Sequence, residues 1–369
     1  MKKYVASIIT VLLLFIVFLL PIKAAELPGI DEYITEDIYY YLPDSIKGAL
    51  TDKESYTGPG VDEVIGFILN VLEQAISPTL NILFNIIGVV LLCACFNMLA
   101  GLGELNAASR MYRFLASLCL ALMIYSLLDS LWVQTSDLLI KLNSMMNSIT
   151  IATTSVYALS GAVTTAVVNQ SQMMIVLTVI EDIAHYGTYP LLQVCYGMSF
   201  IGCISESVDL SSLVSLIRKT FTTLLIILMS IMSAVLSFQS TLTESNDSLL
   251  IRSAKLASGS FIPIIGGAVS EATSTVAAGL SSLKSTLGII SIIALAVSVL
   301  PLLVSLWFNK LSFFLGSALC EVLSLERESV YLKGSGELID FAIAIISAVA
   351  LVFIINLMIF AKSATVLAV

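Results

Sequence analysis

The sequence predicts an all-α fold, a polytopic bundle of transmembrane helices that includes an internal direct repeat and re-entrant or broken helices. Hydrophobic residues make up 58% of the 369 residues and charged residues only 12%, whereas soluble domains carry about 25% charged residues. A soluble globule must cover its outside with polar groups, and this chain has too few of them. Lipid is therefore the predicted solvent, and five long apolar stretches agree with that.

The amino-terminal region predicts a signal peptide followed by an acidic extracytoplasmic segment. Residues 1–25 begin with Lys2 and Lys3, continue as an apolar run and end in small residues, as secretory signals do. An uncleaved anchor is the alternative. Residues 26–63 hold ten acidic and two basic residues, so they carry −8 of the formal net charge of −9. This acidity, concentrated in the segment 26–60, argues against binding to nucleic acid or to an anionic membrane surface.

The next segment, residues 61–78, has apolar residues at helical spacing and polar residues on the opposite side. We expect an amphipathic helix at the membrane interface, ended by Pro78. The alternative is that this segment is an early extension of the first membrane span. Residues 79–369 form the predicted multi-span membrane domain.

Five stretches are long and apolar enough to cross a bilayer, and the basic residues between them suggest one orientation. Cytoplasmic connections of membrane proteins carry an excess of Lys and Arg. This rule requires an odd number of crossings between 134 and 217, and six to eight spans in all. The spans are 80–101, 114–133, 221–238, 286–308 and 338–361, and the basic connections lie at Arg110 and Arg113, at Arg218 and Lys219, and within 309–337.

Two segments, 144–172 and 257–286, are too polar for lipid-facing spans and too poor in charge for ordinary loops. Both are dense in Ser, Thr, Gly and Ala, and both contain Gly-Ala-Val. A Pro-Leu-Leu follows each about thirty residues later, and a basic connection and a long apolar span come after it. These matches predict a direct repeat of 145–238 and 257–361, with chance similarity between apolar stretches as the alternative.

Catalytic and metal-binding signatures are missing, so we expect neither an enzyme nor a cofactor. The sequence has no P-loop, no H-E-x-x-H and no G-x-S-x-G. Residues 281–284 match S-x-x-K without the companion motifs of that class, which indicates an accidental match. The six cysteines lie among apolar residues and none forms C-x-x-C, so they are predicted to be buried. The single histidine, His185, cannot build a multi-histidine metal site.

Two carboxylates are candidates for a function inside the membrane. Asp129 lies in the second span, where a lone carboxylate at mid-depth costs about 3 kcal/mol; the alternative is an interfacial position beside Trp132. Glu271 follows a proline and paired glycines, which weaken a helix and free backbone groups that need protein or water as partners. We expect a broken or re-entrant element that lines a hydrated pathway, with a close-packed helix as the alternative. The predicted pathway residues are Pro263, Gly266, Gly267, Ser270, Glu271, Thr273 and Ser274.

The run FIPIIGGAVSEA at 261–272 resembles the most recognisable block of the stage III sporulation protein AE family. The likeness extends from about residue 61 to the end. It implies a mother-cell protein in the outer membrane around the forespore. It also implies a complex with the other stage III A operon proteins and stage II sporulation protein Q, needed for forespore integrity and late forespore sigma-factor activity. The family supplies no catalytic residues.

The resulting hypothesis is a multi-pass subunit of a channel or secretion-like apparatus between mother cell and forespore, in one or several copies. A structural membrane scaffold without a pathway of its own is the first alternative. The second is an ion-coupled secondary transporter that uses Glu271 or Asp129. Because the chain has no nucleotide-binding motif, any active pumping would need energy from another subunit.

Overall fold

The fold is a bundle of long helices, and no strand occurs among the residues that the structure describes. The computed structural model describes residues 61–102, 106–160, 162–204, 210, 212–235, 238 and 266–366. The predicted signal peptide and acidic segment lie outside these ranges. The helices are α1 (Val61–Leu102), α2 (Asn106–Leu159), α3 (Val163–Asp182), a π-helical turn (Ile183–Thr188), α4 (Tyr189–Ile204), α5 (Ser212–Val235), α6 (Gly266–Val322) and α7 (Glu326–Val366).

Helix α1 continues through Pro78, so the predicted end of a helix at this proline is wrong. Proline cannot donate a backbone hydrogen bond, and its ring disturbs the preceding turn. In α1 the hydroxyl of Thr79 donates to the carbonyl oxygen of Ala75 at 2.7 Å. Such a side-chain bond satisfies backbone groups next to a proline in a membrane helix. Residues 61–78 are therefore continuous with the helix of the first predicted span. Their position at the membrane interface stays a prediction.

Helices α3 and α4 are joined without a break by the π-helical turn Ile183–Thr188. The turn ends shortly before Pro190, which has no N–H to offer the carbonyl one turn back. The residues that flank the π-helical turn, Asp182 and Tyr189, have ordinary α-helical dihedral angles. The chain therefore makes one crossing between α2 and α5, as the basic connections predicted.

Contacts between helices place three chain reversals at one end of the bundle. The Sγ of Cys93 in α1 lies 3.4 Å from the carbonyl oxygen of Ala116 in α2. Ser117, one residue later, donates to the Glu328 carboxylate in α7 at 3.2 Å. Tyr196 in α4 donates to the carbonyl oxygen of Ala121 at 2.6 Å. The end of α1, the end of α4 and the α6–α7 turn therefore lie together, on the side that the basic residues indicate as cytoplasmic.

The opposite end of the bundle holds the α2–α3 turn. There Ala162 donates its N–H to the carbonyl of Tyr157 at 3.0 Å, and the Tyr157 ring meets Phe360 of α7 edge-on at 5.2 Å. Leu287 of α6 joins the same small apolar cluster. Helices α2 and α7 are thus parallel, and the chain passes between the two ends six times. Six described helices are long and apolar enough to cross a membrane, within the predicted range of six to eight.

Helices α6 and α7 form a hairpin that carries much of the main core. Ser324 ends α6 with a left-handed φ of 56°. Leu325 donates to the carbonyl of Cys320 at 2.8 Å, and Ser324 donates to that of Glu321 at 3.2 Å. This pair of bonds is the Schellman arrangement, which satisfies the last carbonyls of a helix. The reversal is therefore fixed by the backbone itself.

Candidate functional site

Two ion pairs join three helices at one depth of the bundle. The Nζ of Lys310 in α6 lies 2.6 Å from Asp340 of α7, and Arg218 of α5 lies 2.5 Å from Glu337 of α7. The side chains of Lys310 and Asp340 are only 27% and 30% exposed. We call these two pairs the ion-pair layer.

Asp129 lies at the same depth and is held by a tyrosine. Its half-buried carboxylate accepts a hydrogen bond from the Tyr189 hydroxyl at 3.2 Å. Two residues before this tyrosine, a Cβ added at Gly187 would lie 3.3 Å from the ring of Phe221. That ring in turn meets Phe341 of α7 with centroids 5.3 Å apart. The chain of contacts places Asp129 beside the ion-pair layer; its predicted function stays a prediction.

A tyrosine chain connects three helices on the cytoplasmic side of the ion-pair layer. Tyr331 of α7 donates to the hydroxyl of Tyr196 in α4 at 2.7 Å, and Tyr196 donates to the carbonyl of Ala121 in α2 at 2.6 Å. The Tyr125 and Tyr196 rings lie 5.2 Å apart. Buried hydroxyls need such partners, so the tyrosine chain fixes how α2, α4 and α7 pack.

The α6–α7 hairpin also contains two buried polar atoms without a protein partner. Asn309 Oδ1 and Ser335 Oγ accept or donate no hydrogen bond within the described residues. Asn309 is 2% exposed and Ser335 is fully buried. Unpaired buried polar groups are costly and are commonly satisfied by ordered water. The hairpin therefore has capacity for bound water near the ion-pair layer.

Beyond the ion-pair layer, three helices contain long segments without any charged residue. On α7 the segment 341–361 follows Asp340 directly, and on α6 the segment 287–309 precedes Lys310. On α5 residues 220–235 follow Lys219. The α7 segment is about 32 Å long at the α-helical rise of 1.5 Å per residue, close to the ~30 Å hydrocarbon thickness of a bilayer. The ion-pair layer therefore lies at one end of an uncharged zone of α5, α6 and α7 that is long enough to cross a bilayer.

The first two predicted spans are axially displaced from the last three. Ile86 of α1 touches the backbone of α6 at Gly316, and Ser117 bonds to Glu328. Residues 80–101 and 114–133 therefore lie mostly on the cytoplasmic side of the ion-pair layer. Their centres are offset from that of 338–361 by about 25 Å along the bundle. Apolar residues of α1 and α2 are exposed there, including Leu91, Met98, Phe114 and Leu122.

The hydroxyl-rich segments lie beyond the ion-pair layer, at the end of the bundle that holds the α2–α3 turn. Residues 144–172 form the far part of α2, the turn and the first part of α3, and residues 266–286 form the first turns of α6. Leu287 contacts the α2–α3 turn region, so both segments are brought to this end. The direct repeat that the two segments predicted stays a prediction.

The predicted pathway residues of α6 lie in this hydroxyl-rich end, and their role stays a prediction. The helix is unbroken from Gly266 through Pro301 to Val322. The side chains of residues 266–286 and the whole of Pro263 lie outside what the structure describes. The pathway residues within the helix are Gly266, Gly267, Ser270, Glu271, Thr273 and Ser274.

The residues brought together can bind water and transmit hydrogen bonds. In the described ranges, no three His, Cys, Asp or Glu residues lie close enough to hold a metal ion. The tyrosine chain could not be predicted from the sequence, because aromatic residues at helical spacing carry no signal of their partners. The sequence placed Lys310 in the basic connection 309–337 and did not indicate Asp340 as its partner. Their position at the two facing ends of adjacent apolar spans was the signal that could have paired them.

Comparison with known proteins gives the family. The family profile described as stage III sporulation protein AE matches residues 52–364, about 85% of the 369 residues. The chain belongs to the stage III sporulation protein AE family. Within the family, the stage III sporulation protein AE of Bacillus subtilis (strain 168) is 29% identical over 103 residues, covering 28% of this chain and 26% of that protein. The match thus spans about a quarter of the relative's length. No solved structure matches the chain.

Membership of the stage III sporulation protein AE family gives the chain a role in sporulation. The six long apolar helices make it a multi-pass membrane protein. The all-α multi-span fold and the family that the sequence predicted are thereby confirmed. The direct repeat and the re-entrant or broken helices stay predictions.

Proposed function

We propose that this chain is the membrane-embedded subunit of a channel or secretion-like complex that connects mother cell and forespore. It resides in the mother-cell-derived outer forespore membrane and assembles with the other stage III A operon proteins and stage II sporulation protein Q. It supports forespore integrity and late forespore sigma-factor activity. It has no catalytic role.

One observation above all supports a passage through this protein. The two hydroxyl-rich segments, 144–172 and 266–286, come from distant parts of the sequence and lie at the same end of the bundle. Hydroxyl, Gly and Ala residues combined with an intramembrane carboxylate are typical of polar pathways in membrane proteins. Ser270 and Glu271 lie in the second of these segments.

A structural scaffold is the second candidate, and close helix crossings favour it. A Cβ added at Gly288 would lie 2.8 Å from the Cβ of Ala361. Small residues at such crossings allow backbones to approach closely and hold membrane helices together. In a scaffold the small residues of α6 serve packing alone.

The test combines cysteine accessibility with complementation in a spore-forming host that lacks the endogenous gene. Cysteines are introduced singly from 261 to 275 and treated with a small water-soluble thiol reagent. A pathway predicts several modified positions, and uniform protection would contradict it. Ser270→Phe, which narrows a passage, should lower a late forespore reporter while the partner proteins remain assembled. Loss of assembly together with the reporter would favour the scaffold.

A further inference from the structure

Two sides of the molecule differ in polarity at the same depth. Helix α5 has few buried residues, and most of its exposed side chains beyond the ion-pair layer are apolar. Its exposed hydroxyls, Thr223 and Ser230, donate to the backbone carbonyls of Lys219 and Ile226. Between 222 and 235 it carries no charged residue. Such a surface is suited to lipid. The exposed apolar residues are Leu224, Ile226, Ile227, Leu228, Ile231 and Val235.

Contacts among α2, α4, α5 and α7 identify the residues of α2 that lie at the depth of the apolar α5 surface. Phe221 touches Phe341 and the backbone at Gly187, and Tyr189 bonds to Asp129. The first residue of the apolar α5 surface therefore lies level with α2 residues 129–132. Helix α5 is parallel to α7 because Arg218 pairs with Glu337 and Phe221 with Phe341. Since α2 is also parallel to α7, residues 222–235 of α5 and 133–146 of α2 cover the same ~20 Å.

The surface of α2 at this depth is polar. Between 134 and 155, six exposed residues are polar or charged and two, Ile140 and Ile151, are large and apolar. Most of the polar residues follow a spacing of three and four, which places them along one side of the helix. They are Gln134, Asp137, Lys141, Ser144, Asn147 and Ser155.

Two buried atoms next to this surface lack partners among the residues that the structure describes. Asn143 Oδ1 and Thr154 Oγ1 are buried and make no hydrogen bond within the described residues. Asn143 directly precedes Ser144, and Thr154 directly precedes Ser155; both serines belong to the polar surface. Buried polar atoms are normally satisfied by protein or water. The α2 side of the bundle therefore has unused hydrogen-bonding capacity as well as charge.

At a given depth within a planar bilayer, a single isolated chain is surrounded by lipid on every side. Lipid suits the apolar surface of α5 but not the polar surface of α2. A charged side chain in hydrocarbon costs about 2.5–3.5 kcal/mol or more, and this surface holds both Asp137 and Lys141. Symmetric copies around a common axis each present the same surface to that axis. Such an arrangement removes the polar α2 surfaces from lipid together and leaves each α5 facing outward.

We propose that the α2 surface from Gln134 to Ser155 lines a water-filled passage that further copies of this chain close on its other sides. This inference rests on the proposed channel function and names which helix forms the wall and what completes it. Water, and not an apolar partner, occupies the space in front of Asp137 and Lys141.

The test compares two positions of nearly equal depth in the full chain, Ser144 of α2 and the exposed Ile231 of α5. Exposed Cys95 and Cys119, together with Cys203, are first replaced by Ser in a chain that still restores sporulation, and Ser144→Cys or Ile231→Cys is then added. A small water-soluble thiol reagent should modify position 144 at least about ten-fold faster than position 231, because the reactive thiolate forms in water. A bifunctional thiol reagent should join two copies through position 144 but not through position 231.

Three results would overturn the inference. Slow modification of both positions would put the α2 surface in lipid or protein. Fast modification of both would place this depth outside the bilayer. Fast modification of position 144 without linked copies would mean an open aqueous surface and no shared passage. If the parent chain restores the late forespore reporter in any of these cases, the inference alone fails and the proposed function stands.

Discussion

The crossing of α1 and α6 at Gly316 gives a sharp test of the packing. A Cβ built at Gly316 would overlap Cγ2 of Ile86, well inside the 3.0 Å that real Cβ contacts respect. Ile86 is fully buried and branched at Cβ, so its side chain cannot easily rotate away. We therefore expect Gly316→Ala to force α1 away from α6.

The expected magnitude follows from two opposing effects. Replacing Gly by Ala within a helix stabilises it by about 0.5–1 kcal/mol. Overpacking a tight core costs about 1–3 kcal/mol. Gly316→Ala should therefore lower the free energy of unfolding by roughly 0.5–2 kcal/mol. The matched control is Gly334→Ala, because a Cβ at Gly334 meets nothing within 4 Å and should keep the full helix gain.

The assay is thermal denaturation in mild detergent, followed by a fluorogenic thiol reagent that reports exposure of buried Cys93, Cys195 and Cys320. Cys95 and Cys119, which are exposed although the sequence predicted them to be buried, are replaced by Ser together with Cys203 in every variant. The melting temperature should fall for Gly316→Ala and rise or stay constant for Gly334→Ala. In the background of Ile86→Ala, which removes Cγ2, Gly316→Ala should no longer destabilise. Equal behaviour of the two glycine variants, or no relief from Ile86→Ala, would refute this account of the crossing.

Three further predictions use the same denaturation assay. Lys310→Met should destabilise more than the double variant Lys310→Met/Asp340→Leu, because the single change leaves a half-buried carboxylate unpaired; equal losses would mean that the ion pair at 2.6 Å contributes nothing. Tyr196→Phe should cost about 1–3 kcal/mol, since it leaves the Ala121 carbonyl without its donor, and an unchanged melting temperature would contradict the tyrosine chain. Ser324→Gly should stabilise by up to about 1 kcal/mol, because glycine adopts the left-handed φ of 56° without strain; a loss would contradict the turn geometry.

The sequence predicted the apolar spans well because hydropathy depends on local composition. The five predicted spans coincide with long helices, the third as far as Val235. The single crossing between α2 and α5 agrees with the odd number that the basic connections required. Local rules failed at Pro78, where a side-chain bond from Thr79 keeps the helix continuous. Such a bond depends on the rotamer of one neighbour, which composition does not specify.

The relative depth of the spans could not be read from the sequence. Hydropathy identifies 114–133 and 338–361 as equivalent, yet Ser117 lies beside Glu328 and not beside the start of the last span. The axial offset between helices is set by side-chain contacts far apart in sequence. For the same reason, the pairing of Arg218 with Glu337 could not be predicted from the sequence.

The candidate site was only partly predictable. The hydroxyl-rich composition of 144–172 correctly excluded an ordinary loop, because this segment forms the end of a helical hairpin. That the segment does not face lipid stays a prediction. The role of Glu271 stays a prediction, since its side chain lies outside the described residues. Asp129 was singled out as an isolated carboxylate, but only the fold supplies its partner, Tyr189.

The most direct test of the account measures the surroundings of two nitroxide labels in lipid vesicles, one at Ser144→Cys and one at Ile231→Cys. Collision rates are recorded with oxygen, which concentrates in lipid, and with a water-soluble nickel chelate. The account predicts that the label on α5 collides mainly with oxygen and the label on α2 mainly with the chelate. The same preference at both positions would contradict a passage wall and a lipid-facing surface at one depth.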